Sequence, residues 1–319
     1  MPGSETVGVL VQRSSPRPEP VARPVLLAIA GDSGAGKATI TRGLAQALGP
    51  HRVGVVDLDD YHRHDRAEQR GLPYTALHPK ANYLDIAEQH LELLAACHPV
   101  LKPTYDHATG TLGRPVVVEP RDFMVVEGLL ALWSRRARAC YTVAVYLETP
   151  EPLRRRWKLQ RDTTERGYGE AEDADELDRR EPDAAAFIRP QAAHADIVVR
   201  LAPLAGRPEG LEHPLSATVL LRPTIPHPNL AAILTPQHQE AVKLTLGRDD
   251  AGRPADVLTI AASAPPGVAR HVQAAIWDAL GMAGAVPECL GALRGGGRSE
   301  PLALVQLLLL YHLVQAHRE

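Results

Sequence analysis

The sequence predicts an α/β fold with a mostly parallel sheet, helices on both faces and a smaller mixed α+β region at its C-terminal end. Three observations support this prediction. Apolar strand patterns alternate with helical patterns as far as Leu201, a glycine-rich stretch separates the first strand from the first helix, and the composition changes to proline-rich connections from about Ala202. Alternating strands and helices are typical of βαβ units that build a parallel sheet.

The first predicted strand, residues 25–30, is followed by a glycine-rich loop and by a helix with Ile40, Leu44 and Leu48 on one face. Such a loop directs backbone N–H groups at an anion, the helix start adds its positive dipole end, and Lys37 can reach the β and γ phosphates of a nucleotide. We therefore predict that this loop binds nucleotide phosphates. Its residues are Gly31, Asp32, Ser33, Gly34, Ala35, Gly36, Lys37, Ala38 and Thr39.

Ala38 departs from the usual phosphate-loop motif, which places Ser or Thr directly after the lysine to bind Mg²⁺ through its hydroxyl. The next residue, Thr39, is a poor substitute, because one helical position is a rotation of about 100°. Either the ion keeps a water molecule at this position or catalysis is weakened.

The second predicted strand, residues 53–58, ends in a cluster of polar residues that includes Asp57, Asp59, Asp60 and His62. Ligands of open parallel sheets bind at the carboxyl ends of the strands, so this cluster is a candidate site. The alternative is a solvated turn.

The next predicted elements are a helix over residues 84–97, a loop or short hairpin over 102–110 and strands over 123–126 and 141–147. Glu127 follows the first of these strands and is a candidate metal ligand. A helix begins after Thr149, and one of its faces carries Lys158, Arg161, Asp162 and either Glu165 or Arg166. The alternative for that face is a set of solvated salt bridges.

The remaining pattern predicts a polar helical stretch with Arg179, Arg180 and Arg189, and a strand over residues 196–201. Further strands are predicted over residues 217–221, 241–246 and 256–261, with a hairpin turn at 248–253 and helices over 268–280 and 301–317. We divide the chain into a disordered Pro- and Arg-rich tail (residues 1–23), a core (24–203) and a C-terminal mixed extension (204–319).

Composition excludes several classes of function. The net charge of −3 and the pI near 6.5 do not favour binding to nucleic acid or to a membrane surface through bulk charge. Cys97, Cys140 and Cys289 have no short spacing, which argues against a disulfide framework or a zinc site. The apolar run over residues 302–314 is too short to span a bilayer. We expect a cytoplasmic protein.

Nine segments, in order, resemble the phosphoribulokinase/uridine kinase family of P-loop kinases, and within it the phosphoribulokinases. They are GDSGAGKAT (31–39), LDDYHRHDR (58–66), ALHPKAN (76–82), KPTYDHATG (102–110), VVEGLLAL (125–132), YLETP (146–150), WKLQRDTTERG (157–167), RREPD (179–183) and FIRPQ (187–191). The resemblance implies a homodimeric enzyme that uses ATP and Mg²⁺ to convert D-ribulose 5-phosphate to ribulose 1,5-bisphosphate, a reaction of the Calvin cycle.

The resemblance also implies roles for individual residues. Asp59 matches the general base, and Lys158, Arg161 and Asp162 match residues around the transferring phosphate. Glu127 matches a metal-side carboxylate, a role that Asp162 would share. The residues matched to the sugar phosphate are His62, Arg66, Tyr105, His107, Arg166 and Arg180.

Four positions depart from the family pattern. Ala38 lacks the metal-binding hydroxyl, and Leu130 stands where the family usually has histidine. Ala35 and Asp57 occupy the positions of the regulatory thiols of the photosynthetic branch. Disulfide regulation at that pair is therefore excluded by residue type.

Two other functions stay open. The first is a related kinase acting on a nucleoside or on another sugar phosphate, although Arg66, His107, Lys158 and Arg161 suit a substrate that is already phosphorylated. The second is a weakly active or regulatory nucleotide-binding protein, because Ala38 leaves the metal site of the motif incomplete.

Overall fold

The computed structural model describes residues 23–165, 170–203, 215–239, 241–293 and 295–319, and within these ranges it does not describe the side chains of residues 161–165 and 170–176. The predicted tail therefore lies outside the described residues, apart from Arg23. The same holds for Arg166 and for the side chains of Arg161 and Asp162.

The described part of the chain contains the strands and helices that the sequence predicts, in the predicted order, together with further short strands and helices. The strands are β1 Val25–Gly31, β2 Val53–Asp57, β3 Val100–Lys102, β4 Tyr105–Asp106, β5 Thr111–Leu112, β6 Val116–Val118, β7 Phe123–Gly128, β8 Val143–Glu148, β9 Ile197–Pro203, β10 Leu215–Leu221, β11 Val242–Arg248 and β12 Pro254–Ile260. The helices are α1 Lys37–Leu48, α2 Arg66–Arg70, α3 Leu84–Ala95, α4 Arg135–Cys140, α5 Glu151–Glu165, α6 Glu170–Asp183, α7 Leu230–Ile233, α8 Pro266–Ala279 and α9 Glu300–Arg318.

Eight strands form the main sheet, in the order β11-β12-β10-β9-β8-β1-β7-β2. The pairs from β9 to β2 are parallel, whereas β10, β12 and β11 continue the sheet in antiparallel fashion. Two small antiparallel sheets, β3–β6 and β4–β5, lie in the segment predicted as a loop or short hairpin and just beyond it. The predicted α/β class is confirmed.

Both faces of the sheet are covered by helices, because successive side chains of each buried strand point to opposite sides. Leu27 of β1 belongs to the core on the side of α1, α8 and α9, together with Leu44 and Leu308. Leu26 belongs to the core on the side of α3 and α4, together with Leu91. Among the described residues, no helix is long and apolar enough to cross a membrane.

The C-terminal helix α9 packs directly on α1. Gln306 is fully buried, and its Nε2 donates to Thr39 O at 3.0 Å while its Oε1 accepts from Gly291 N at 2.7 Å. Gly43 makes this approach possible, since an ideal Cβ there would lie 2.1 Å from Gln306 Nε2. The last helix therefore shares one core with the first βα unit.

The structure differs from the sequence prediction at several element boundaries and in the short helices α2, α4 and α7, which the sequence does not predict. β8 begins at Val143 instead of residue 141, because Tyr141 follows α4, a short helix that the sequence prediction missed and that Ser134 caps by accepting from Ala137 N. After Asp183 the predicted helical stretch continues as a π-helix, Ala184–Ile188, and then as a 3₁₀ helix, Arg189–His194.

Candidate active site

The phosphate loop connects β1 to α1 and has the backbone that its glycines allow. Gly34 and Gly36 have φ values of +81° and +98°, which side-chain-bearing residues rarely adopt. A Cβ at Gly34 would also lie 2.9 Å from Arg154 O of α5. Lys37 Nζ donates to Gly31 O at 2.9 Å and to Asp32 O at 3.1 Å, so the ammonium lies against the loop. The loop and lysine fit a nucleotide phosphate.

Helix α5 contacts the other side of this loop. The hydroxyl of Thr149 donates to Ala35 O at 3.1 Å. Lys158 is 3% exposed, and its Cβ lies 3.3 Å from the position that a Cβ on Gly34 would take. The fold therefore brings Lys158 to the loop, and its catalytic role stays a prediction.

Two arginines join the loop to α5 and to the end of α6. Arg189 donates from Nε to Asp32 Oδ2 at 3.3 Å and from both terminal nitrogens to the Glu181 carboxylate at 2.6 and 2.8 Å. Arg154, 5% exposed, lies 3.8 Å from Asp32 Oδ2 and 3.7 Å from Glu181 Oε2. The Arg189 hydrogen bonds lower the pKa of the Glu181 carboxyl. We call these four residues the arginine clamp.

Two carboxylates lie at neighbouring strand ends beside the loop. Asp57 of β2 and Glu127 of β7 are register partners, and Glu127 also pairs with Ile29 of β1. Thr41 of α1 donates from Oγ1 to Glu127 Oε2 at 2.6 Å. Burial raises the pKa of the Glu127 carboxyl, while the Thr41 hydrogen bond and the Lys37 charge oppose the rise.

Burial, followed by the charges of Asp59 and Glu127, raises the pKa of the Asp57 carboxyl well above its usual range. A cation would relieve this repulsion, and carboxylate oxygens are ligands that Mg²⁺ prefers. The described residues contain no group of three or more His, Cys, Asp or Glu side chains able to hold a metal by themselves. Since Mg²⁺ in kinases is held by one or two carboxylates together with phosphates and water, the donor set fits this ion.

Asp59 and Asp60 follow β2 in a 3₁₀ turn but have different surroundings. Asp60 is engaged on both oxygens, since it accepts from Lys102 Nζ and, at 2.8 Å, from Tyr105 N. Asp59 lines a small cleft with Asn82 and Leu130, and its backbone N–H donates to Asp57 Oδ1 at 2.9 Å. Asp60 therefore has a structural role, and Asp59 is the aspartate of the turn that lines a cleft.

His62 is held as one tautomer by Asn82. Asn82 Nδ2 donates to the carbonyls of Ala76 and His78, both at 3.0 Å. Its Oδ1 must then accept from His62 Nδ1, 2.8 Å away. Burial lowers the pKa of His62, which favours the neutral ring, and a neutral ring that donates from Nδ1 has its lone pair on Nε2. This nitrogen can accept a hydrogen bond from a substrate hydroxyl.

The other predicted substrate residues gather around His62. The rings of Tyr105 and His107 lie 4.9 and 6.4 Å from the His62 ring, measured between centroids. Arg66 donates from its guanidinium to His107 O at 2.6 Å. Arg180 is near enough that its charge lowers the pKa of His62, whereas the Asp59 charge raises it. The fold therefore brings His62, Tyr105, His107, Arg66, Arg180 and Asp59 to one region.

Sequence reasoning missed several residues that build this site. Thr41 occupies an ordinary helical position, and no motif marks it. Asn82 lies in the ALHPKAN segment, which the resemblance includes without a role for this residue. The arginine clamp joins parts of the chain that are far apart in sequence, so no local pattern could have indicated it.

Comparison with known proteins gives a family match over the core of the chain. The model of the phosphoribulokinase/uridine kinase family matches residues 26–205. Phosphoribulokinase from Synechocystis sp. is 39% identical over 181 residues, which are 57% of this chain and 54% of that protein. Uridine kinase from Oceanobacillus iheyensis is 32% identical over 185 residues, 56% of this chain and 86% of that protein. The chain spans about half the length of the phosphoribulokinases that it matches.

A solved structure extends the likeness beyond the matched core. Phosphoribulokinase from Rhodobacter spheroides aligns with a TM-score of 0.56 at 15% identity, covering 80% of this chain and 99% of that one. At this identity the comparison supports the fold alone.

Proposed function

Because the chain belongs to the phosphoribulokinase/uridine kinase family over residues 26–205, we propose that it transfers the γ-phosphoryl group of ATP to the C1 hydroxyl of D-ribulose 5-phosphate. The observation that carries the proposal is the convergence of Asp59, His62 and Arg180 near a phosphate loop that contains Lys37 and against which Lys158 of α5 lies. Phosphoryl transfer requires an oriented hydroxyl and cations around the developing charge, and these residues supply both.

In the proposed reaction the loop backbone and Lys37 bind the β and γ phosphates. Asp59 accepts the proton of the attacking hydroxyl, as a carboxylate at the cleft can do. His62 Nε2 accepts a hydrogen bond from a sugar hydroxyl, and Arg66, His107 and Arg180 bind the phosphate that the sugar already carries.

Mg²⁺ would be held on the protein side by Glu127, with Asp57 beside it, and it would neutralise charge on the β and γ phosphates. Lys158 contributes a positive charge on the opposite side of the loop. Arg161, Asp162 and Arg166 belong to the proposal through the family resemblance alone, as do the homodimer and a cytoplasmic location.

Turnover of ATP with different acceptors tests the proposal. We expect ADP release from Mg·ATP with ribulose 5-phosphate and none above background with uridine or without an acceptor. Phosphorylation at C1 would be read from the product by ³¹P NMR. The Lys37→Met variant is a matched control, because it removes the cation at the loop and should abolish release.

The uridine kinase relatives support a second candidate, a nucleoside kinase. Release of ADP with uridine and not with ribulose 5-phosphate would favour it. Nucleotide binding without turnover on any acceptor would instead favour a regulatory protein.

A further inference from the structure

A hydroxyl lies one helical turn after Ala38. Thr41 is three residues further along α1, and residues at this spacing share a helix face. Ala38 is exposed, whereas Thr41 is 5% exposed and points toward the strand ends of the sheet. The face that lacks a hydroxyl in the first turn therefore carries one in the next.

The Thr41 hydroxyl donates its hydrogen bond to Glu127. A helical threonine often donates its hydroxyl to the carbonyl four residues earlier in its own helix. Thr41 instead donates to Glu127 Oε2 at 2.6 Å, a short bond to a carboxylate that crosses from α1 to β7. This bond fixes one carboxylate oxygen and leaves Oε1 outside it.

Glu127 lies where its second carboxylate oxygen, Oε1, can bind a metal ion beside the phosphate loop. It is the penultimate residue of β7, which lies between β1, whose last residue enters the loop, and β2, whose last residue is Asp57. The Lys37 charge acts on Glu127, so the carboxylate and the phosphate-binding ammonium are close. A bond that fixes the rotamer of Glu127 therefore fixes a group beside the phosphates.

We propose that Thr41 is a positioning residue for the metal side of the site: it holds Glu127 in the orientation that receives Mg²⁺·ATP and so compensates for Ala38. Glu127 of β7 would then supply the protein oxygen for the metal in place of a hydroxyl in the first turn of α1. This inference rests on the proposed function, because it requires that the loop bind a metal–nucleotide complex. Partners that orient a metal ligand commonly contribute tenfold or more to metal affinity.

The test measures the affinity of the full-length protein for Mn²⁺·AMP-PNP in the absence of an acceptor. Electron paramagnetic resonance of Mn²⁺ reports how much of the ion is bound. Thr41→Val keeps the shape of the side chain and removes its hydroxyl, and we expect it to weaken Mn²⁺ binding by roughly tenfold. Thr41→Ser keeps the hydroxyl and should retain the wild-type affinity. Binding of AMP-PNP in EDTA should be unchanged in both variants.

Ala38→Ser provides the second half of the test. On the Thr41→Val background it should restore much of the lost Mn²⁺ affinity, because it returns a hydroxyl to the metal side. On the wild-type background its effect should be smaller. Thr245→Val is the matched control, since this threonine of edge strand β11 donates to Val257 O of β12, in the antiparallel C-terminal part of the sheet.

The outcomes distinguish a failure of the proposed kinase function from a failure of the proposed role of Thr41. Wild-type protein that binds no Mn²⁺·AMP-PNP would contradict the proposed function itself. Wild-type protein that binds it, with Thr41→Val binding equally well, would overturn the role of Thr41. If Thr41→Val is poorly folded, Thr41→Ala removes the same hydroxyl without the branched side chain, and wild-type affinity in that variant would be equally decisive.

Discussion

Arg189 donates from Nε to the Asp32 carboxylate of the phosphate loop at 3.3 Å, across 157 positions of the chain. The same guanidinium donates two hydrogen bonds, of 2.6 and 2.8 Å, to the carboxylate of Glu181, the neighbour of Arg180. The Arg189 side chain thus connects the loop that would hold ATP to α6. This helix carries Arg180, a residue predicted to bind the sugar phosphate. This arrangement sets the relative positions of the two halves of the site before substrates bind.

Breaking this clamp should destabilise the protein. In Arg189→Gln, the Asp32 side chain, 12% exposed, loses a charged donor, and we expect a loss of about 1–3 kcal/mol in the free energy of unfolding. Arg155→Gln is the control, because its partners Glu151 and Asp178 are 45% and 71% exposed and such pairs contribute little. Urea unfolding measures both variants, and equal losses would argue against the clamp.

Asp59→Asn should abolish turnover while leaving nucleotide affinity nearly intact. The amide cannot accept the proton of the attacking hydroxyl, and general base catalysis contributes roughly 10²–10⁴-fold. Steady-state ADP release and AMP-PNP binding measure the two effects separately. Wild-type turnover in this variant would remove Asp59 from the role of base.

Asp60→Asn should act on stability, in contrast to Asp59→Asn. It leaves the Lys102 ammonium, whose side chain is 7% exposed, without its carboxylate, and breaking a buried pair costs about 3–5 kcal/mol. The double variant Asp60→Asn/Lys102→Met removes both charges and should recover part of that loss. Thermal unfolding provides the comparison, and a double variant less stable than the single one would contradict the prediction.

Stability should fall in mild acid because of His312. Burial, and then the neighbouring His227, lower the pKa of His312 to about 3. The unfolded chain, with an ordinary histidine pKa near 6.5, binds this proton first, so stability is full above that pH and decreases as the pH falls toward the folded pKa. The loss approaches about 1.4 kcal/mol per pH unit.

His312→Gln isolates this contribution from that of other buried histidines such as His62. The pH dependence of the unfolding free energy between pH 6 and pH 4 should be shallower in the variant by up to about one proton equivalent. Identical slopes in the two proteins would show that His312 does not bind its proton preferentially in the unfolded state.

Gly43→Ala should be destabilising although alanine favours helices by about 1 kcal/mol. The new methyl would meet Gln306 Nε2 at 2.1 Å and force this buried amide from Thr39 O and Gly291 N. We expect a net loss of about 1–3 kcal/mol. Gly267→Ala is the matched control, because nothing lies within 4 Å of its Cβ position in α8. Urea unfolding should give opposite signs for the two variants.

Much of the fold could be predicted because its signals are local. The apolar run before the loop and the spacing of Ile40, Leu44 and Leu48 predict β1 and α1 nearly to their observed ends. The boundary at residue 203 and the separate C-terminal extension stay predictions. The contact of Gln306 with α1 shows that the last helix completes the core around the first one.

The candidate site also has residues that the sequence could name and features that only the structure shows. Glycines, a lysine and strand-end carboxylates are types that a particular chemistry requires, so the sequence could name Lys37, Asp59 and Glu127. The local pattern does not distinguish Asp59 from Asp60, since adjacent aspartates have equal local chemistry, and only the family resemblance singled out Asp59. The structure distinguishes their surroundings, because Lys102 Nζ and Tyr105 N donate to the oxygens of Asp60, whereas Asp59 lines a small cleft.

By itself, the sequence determined the α/β class, the phosphate loop and the absence of a hydroxyl at Ala38, because backbone preferences and residue chemistry act over a few neighbouring positions. The tertiary structure decided which side chains meet. Thr41 reaches Glu127 and Arg189 reaches Asp32 only because the parallel sheet brings α1, β7 and the segment after α6 to the same edge. Contacts between such distant segments depend on how whole elements pack, and no local pattern records them.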